Sequence, residues 1–180
     1  MVNSRSPVSG AAALVIAALL LGGPAAASAQ VGIGVAGGPS YPTGALGDVV
    51  ESGYHAGVTL DAGLPLLPIA FRADLMFQNL PGREDLDSFR QVAGTVNGRV
   101  GVLPIPLVSP YLIGGLGLYA SDFVPDPDID GGWSTDVGIN AGVGVRLNLL
   151  VIRPFIEARY HRVLSDPARG FIPITAGIHF

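Results

Sequence analysis

The last ten residues, Phe171-Ile172-Pro173-Ile174-Thr175-Ala176-Gly177-Ile178-His179-Phe180, alternate without interruption. Ile172, Ile174, Ala176, Ile178 and Phe180 fall on one face, and Pro173, Thr175, Gly177 and His179 on the other. Period two is the repeat of a β-strand, so this stretch is expected to be a strand with one apolar and one mixed face. A single strand leaves a row of backbone donors and acceptors unpaired, and in a bilayer no water satisfies them. The chain upstream must therefore supply further strands.

It does so repeatedly. Val31, Ile33 and Val35 alternate with Gly32, Gly34 and Ala36 before Gly37-Gly38-Pro39, where a first strand is expected to stop. Residues 40–53 read as a long polar connection with Pro42, Gly44, Gly47, Asp48 and Glu51. A second strand sets Tyr54, Ala56, Val58, Leu60 and Ala62 against His55, Gly57, Thr59 and Asp61, and a short link, 64–68, follows. A third sets Ile69, Phe71, Ala73, Leu75 and Phe77 against Arg72, Asp74, Met76 and Gln78. After a second long loop, 79–90, a fourth sets Val92, Gly94, Val96, Gly98, Val100 and Val102 against Thr95, Asn97, Arg99 and Gly101, ending at Pro104-Ile105-Pro106.

The fifth strand, 111–120, is glycine-rich, with Leu112, Leu116 and Leu118 assigned outward and Tyr111, Ile113 and Tyr119 inward. A third long, acidic loop spans 121–135. In the sixth strand Val137, Ile139, Ala141, Val143, Val145 and Leu147 oppose Gly138, Asn140, Gly142, Gly144, Arg146 and Asn148, and the turn near 149–151 lacks good turn residues. The seventh opposes Ile156, Ala158 and Tyr160 to Phe155, Glu157, Arg159 and His161, and 164–170 loops back to the closing strand. Eight strands joined by alternating long and short connections define an all-β, eight-stranded antiparallel up-and-down barrel, with both termini on the short-turn side.

The amino-terminal end has the parts of a secretory signal peptide: Arg5, an apolar run Ala11–Leu21 and the small-x-small site Ala27-Ser28-Ala29. Cleavage there leaves one domain, residues 30–180. No cysteine is present, so a disulfide scaffold is excluded. The basic residues are all arginine; beyond Arg5, nine of them face 14 acidic residues, a formal charge of −5 that argues against a nucleic-acid partner. Charged residues make up 13% of the chain, whereas a soluble surface usually carries about 25–35%. Most of this surface is expected not to face water. Beyond the amino-terminal segment no apolar run reaches the ~20 residues of a spanning helix, so the membrane solution must be made of strands.

Periodicity alone fits a soluble lipocalin-like barrel with its apolar face inward equally well. The second face decides between them. Turned to water, Gly34, Gly57, Gly101, Gly138, Gly142, Gly144 and Gly177 would leave the exterior almost bare of solubilising side chains. Turned into a narrow lumen, they leave room for the charged residues threaded among them, which favours the transmembrane reading.

The segments Gly53-Tyr54-His55-Ala56-Gly57, Pro110-Tyr111-Leu112-Ile113-Gly114-Gly115, Arg153-Pro154-Phe155-Ile156-Glu157-Ala158-Arg159-Tyr160 and Ile178-His179-Phe180 carry a resemblance that covers residues 30–180. The chain resembles the small eight-stranded outer-membrane β-barrels of the OmpA/OmpX type, in the porin-like group. The resemblance implies residence in the outer membrane of a Gram-negative cell envelope. It also implies that Phe180, with Ile178, is an assembly signal read by the barrel-assembly machinery. The sequence departs from an OmpA-type protein in having no peptidoglycan-binding domain after the final strand, and its short turns are unusually apolar.

The inward ionisable residues are Asp61, Arg72, Asp74, Arg99, Arg146, Glu157 and Arg159, with His55, His161 and His179. An eight-stranded interior is just wide enough for side chains to fill, so a paired, hydrogen-bonded plug is expected rather than a pore. The principal expectation is a structural or surface-interaction barrel. The alternatives are a narrow small-solute channel or binding barrel, a lipid-modifying membrane enzyme, and a soluble periplasmic lipocalin-like barrel.

Some eight-stranded barrels act on lipid with a His, a Ser and an acid, which singles out His161, Ser165 and Asp166. They fall across a strand end and a loop, and no Gly-x-Ser-x-Gly turn is present, so no enzyme is expected. The three His lack metal-ligand spacing. Asp126, Asp128 and Asp130, followed by Gly131, match the first half of a calcium loop, but position twelve is Val137. Weak calcium binding at this external loop is the only cofactor expectation. The expected partners are outer-membrane lipid and lipopolysaccharide, and the barrel is expected to be monomeric.

Overall fold

The computed structural model describes residues 30–63, 69–84, 88–103, 107–122, 133–149 and 151–180. Eight strands form one closed antiparallel barrel in sequence order. They are β1 (Gln30–Thr43), β2 (Gly53–Gly63), β3 (Ile69–Leu80), β4 (Phe89–Gly101), β5 (Val108–Asp122), β6 (Ser134–Leu147), β7 (Arg153–Val163) and β8 (Arg169–His179), with one short helix, α1 (Ala45–Val49), between β1 and β2. Each strand pairs with its sequence neighbours, and β1 closes the ring against β8 through pairs such as Gly34 with His179 and Thr43 with Gly170. Closure leaves no free sheet edge.

Several strands run further than their turn residues imply. The first does not stop at Gly37-Gly38-Pro39 but continues to Thr43. A side chain at Gly38 would collide with the Ile174 carbonyl oxygen. Pro39, which has no N–H to donate, falls where the ladder to β8 is interrupted between Gly37–Ala176 and Ser40–Pro173. Pro173 sits in a matching gap of the β7–β8 ladder, between Ala158–Ile174 and His161–Phe171. Proline ends a strand only where its missing donor is needed, and here it is not.

The same lengthening trims the expected loops. β3 reaches Leu80 and β4 starts at Phe89, β5 runs from Val108 to Asp122, β6 begins at Ser134, and β8 begins at Arg169. Asn148 lies one residue beyond β6 rather than within it. The connection 164–168 is therefore no longer than the turn 148–152, so the fourth external loop is not a long one. The first connection is not irregular throughout, since it carries α1. The following loop holds that helix in place: Val50 bridges to Gly82, the Glu51 N–H donates to the Pro81 carbonyl, and Arg83 Nε donates to the Gly47 and Val50 carbonyls at 3.1 and 3.2 Å.

The polarity of the wall is the reverse of a soluble barrel's. Val31, Ile33, Val35, Val58, Phe71, Leu75, Val96, Leu112, Leu116, Val143 and Ile156 are exposed around the outside, Ile156 at 65% and Leu116 at 63%. Arg72, Asp74, Gln78, Gln91, Asn97, Glu157, Arg159, His161 and His179 are buried inside. A soluble lipocalin-like arrangement, with apolar side chains inward, is excluded by this inversion.

Candidate functional site

The lumen is layered. At its centre, β3 contributes Arg72 and Asp74, and β7 contributes Glu157 and Arg159. Positions i and i+2 of a strand point the same way, so each strand offers one cation and one anion to the interior. The order is reversed on the facing strand, which brings opposite charges together. Arg72 Nη2 donates to Glu157 Oε1 at 2.7 Å, and Arg159 Nη1 donates to Asp74 Oδ2 at 2.8 Å. Within each strand Arg72 Nε lies 2.9 Å from Asp74 Oδ1, and Arg159 Nε lies 2.6 Å from Glu157 Oε1. The four charges alternate around a ring and cancel.

Neutral donors complete this layer. The Tyr111 hydroxyl donates to Glu157 Oε2 at 2.8 Å, and Asn97 Nδ2 donates to Asp74 Oδ2 at 2.9 Å. The Thr95 hydroxyl also donates to that oxygen, at 3.3 Å. The Arg72 guanidinium stands over the Phe155 ring, 5.4 Å from its centroid. A void of about 20 Å³ bordering His55, Arg72, Asp74, Arg159 and Thr175 is room for about one water.

Toward the short-turn end, Arg99 Nη1 donates to Asp61 Oδ2 at 3.2 Å, and His179 Nε2 lies 2.8 Å from the same oxygen and from the Thr59 hydroxyl. The His179 ring stacks on Phe155 at 4.7 Å. Arg146 departs from the expected pairing. It is half-buried, and its Nε donates to Asn148 Oδ1 at 3.2 Å rather than to an acid.

Toward the loop end, polar contacts give way to an apolar layer. Ser40, Gln78, Gln91 and Ser121 form a chain of hydrogen bonds of 2.9, 3.0 and 2.9 Å that crosses β1, β3, β4 and β5. The Tyr119 hydroxyl meets His161 Nδ1 at 2.9 Å, and the His161 ring stacks on Phe171 at 4.8 Å. His55 Nε2 meets the Thr175 hydroxyl at 2.9 Å. Above them Leu80, Phe89, Ala93, Val163 and Phe171 pack with Leu46 and Val50 of the α1 region. Inward apolar residues at strand ends were not anticipated. Continuing each strand's parity into its neighbouring loop would have found Leu80, Phe89 and Val163.

Lumen glycines serve the aromatic rings more than the charges. A Cβ at Gly177 would lie 2.5 Å from two Phe155 ring carbons, and one at Gly144 would enter the Tyr111 phenol. Each ring occupies the space that a side chain at the glycine of the neighbouring strand would fill.

His161, Ser165 and Asp166 are not brought together. His161 is buried in the lumen on Tyr119, whereas the Ser165 hydroxyl donates to the Pro167 carbonyl and accepts from Arg169 Nε, each at 2.9 Å. Among the described residues no group of three or more His, Cys, Asp or Glu is placed to hold a metal ion. The calcium candidates Asp126, Asp128 and Asp130 lie outside the described residues, as does the amino-terminal segment 1–29.

A closed eight-stranded barrel with an apolar exterior and a charged, hydrogen-bonded interior has the architecture of the small outer-membrane barrels. Solved structures of that kind are similar to it. The crystal structure of Neisserial surface protein A (NspA) aligns with a TM-score of 0.66 at 14% identity, over 84% of this chain and 97% of that one. The amino-terminal β-barrel domain of Pseudomonas aeruginosa OprF aligns with a TM-score of 0.55 at 11% identity, over 84% and 99%. Ail, the attachment invasion locus protein of Yersinia pestis, aligns with a TM-score of 0.50 at 16% identity, over 84% and 97%. At these identities the likeness is one of fold. No protein-family model matches the sequence, and no curated protein matches it by sequence.

Proposed function

We propose that the protein is an integral outer-membrane barrel with a structural or surface-interaction role, and that its lumen is a side-chain plug rather than a conduit. The observation that carries this reading is the charge ring of Arg72, Asp74, Glu157 and Arg159, which joins β3 to β7 across the interior at 2.7 and 2.8 Å. Charges so paired are held by partners that must be separated before an ion can pass, and a buried charge left without its partner is strongly unfavourable. The exposed apolar wall supports lipid as its solvent, and the outer-membrane origin of the structurally similar proteins supports that membrane. Chemistry on lipid has no assembled nucleophile and base to support it among the described residues. The barrel acts as a monomer, assembled with Phe180 and Ile178 as its recognition end. Fractionation tests the reading: the protein should extract with outer membranes and migrate differently on a gel when boiled and unboiled. Recovery in the soluble periplasm with identical migration would refute it.

A further inference from the structure

The loop end carries a groove that the lumen plug does not use. Its volume is about 670 Å³, within the range of small-molecule sites. One side is Ala45 and Val49 of α1 and the other is formed by Ser134, Ser165 and Pro167, with the buried Leu46 and Phe89 beneath them. Three carboxylates, Asp48, Asp136 and Asp166, stand around it, with one cation, Arg169. That cation is already engaged. Arg169 Nη2 pairs with Asp136, its Nε donates to Ser165, and its guanidinium covers the Phe89 ring at 5.7 Å. Among the described residues Asp48 and Asp166 have no ion-pair partner. The groove therefore joins apolar sides to two negative charges without an ion-pair partner among the described residues.

We propose that this groove binds a small amphiphile with an apolar body and a cationic amine head, the body lying on Ala45, Val49 and Pro167 and the amine facing Asp48 and Asp166. Charge complementarity selects this occupant: an anionic amphiphile would set its head against both carboxylates, and a neutral one would leave them unused. The proposal rests on the surface-facing reading above only for the side from which the ligand arrives.

Trp133, the single tryptophan of the chain, adjoins Ser134 and provides the readout. The full chain, reconstituted in phosphatidylcholine nanodiscs, is titrated with 4-phenylbutylamine, 4-phenylbutanol and 4-phenylbutyrate while Trp133 fluorescence is followed, with empty nanodiscs correcting for partition. The amine should saturate the signal with an affinity at least about tenfold above the alcohol and the acid. Asp48→Asn/Asp166→Asn should bring the amine down to the alcohol's affinity, while Glu51→Gln, outside the groove, should leave it unchanged. Boiled and unboiled gel migration confirms that each variant is folded. Equal affinity for the three probes, no saturable binding, or an equal loss from Glu51→Gln would each overturn the proposal. None of these readings depends on conductance, so a groove that binds nothing and a lumen that conducts are detected separately.

Discussion

The Arg72 guanidinium and the Glu157 carboxylate meet at 2.7 Å across the full width of the barrel, although 85 residues separate them in sequence. β3 and β7 stand four places apart in a ring of eight, so they face one another through the axis. Both side chains are inaccessible to solvent. Their contact couples opposite walls and fills the space between them.

Removing one member of this pair should therefore destabilise more than removing both. Arg72→Met leaves two carboxylates to share Arg159 and should cost about 3–5 kcal/mol. Arg72→Met/Glu157→Met removes one charge of each sign and keeps Arg159 with Asp74, so its loss should be less than half as large. Urea titration of the vesicle-inserted barrel measures both. A double variant as unstable as the summed singles would show that the two residues act independently.

Gly144 should be intolerant of any side chain while Tyr111 is present. A Cβ there enters the phenol ring whose hydroxyl serves Glu157, so Gly144→Ala should cost about 1–3 kcal/mol by overpacking. Gly144→Ala/Tyr111→Ala should lose less than the sum of the two single changes. Additive losses in the same urea assay would mean that the glycine serves the backbone rather than the ring.

Phe180 and Phe77 are both exposed on the apolar wall, at 63% and 39%, yet they should not be equivalent. Deleting Phe180 should lower the yield of assembled barrel in cells more than Phe77→Ala does, because the terminal residue is proposed to act in recognition as well as in contact with lipid. Its N–H also donates to the Ile33 carbonyl at 2.8 Å, at the seam between the first and last strands. Equal yields of heat-modifiable protein would remove the assembly role.

Calcium should bind weakly at the acidic segment containing Asp126, Asp128 and Asp130, with a dissociation constant of about 10⁻⁴–10⁻³ M. Calorimetry on the wild type and Asp128→Asn measures it. Micromolar affinity abolished by that substitution would reveal a dedicated site.

The wall was legible in the sequence because strand parity is local. Alternation placed Arg72, Asp74, Glu157 and Arg159 on the inner face, and the glycines opposite the exposed valines and leucines set which face was inner. Partnership across the lumen was not legible, since it depends on the barrel's stagger: nothing local says that Arg72 takes Glu157 while Arg159 takes Asp74. Turn residues misled where the ladder spared them, as at Pro39, so β1 ran past its expected end. The helix α1 escaped notice because five residues are too few to show a helical period, and its hold on the loop end comes from Arg83, far along the chain.

Planar-bilayer recording of the purified, refolded barrel bears most directly on the plugged lumen. With the Arg72–Glu157 and Arg159–Asp74 pairs in place, insertion should leave the membrane current at its baseline across the applied voltage range. Discrete, reproducible conductance steps from the wild-type protein, unaltered by Arg72→Met/Glu157→Met, would contradict the account, because they would show ions passing where the paired charges are held to block them.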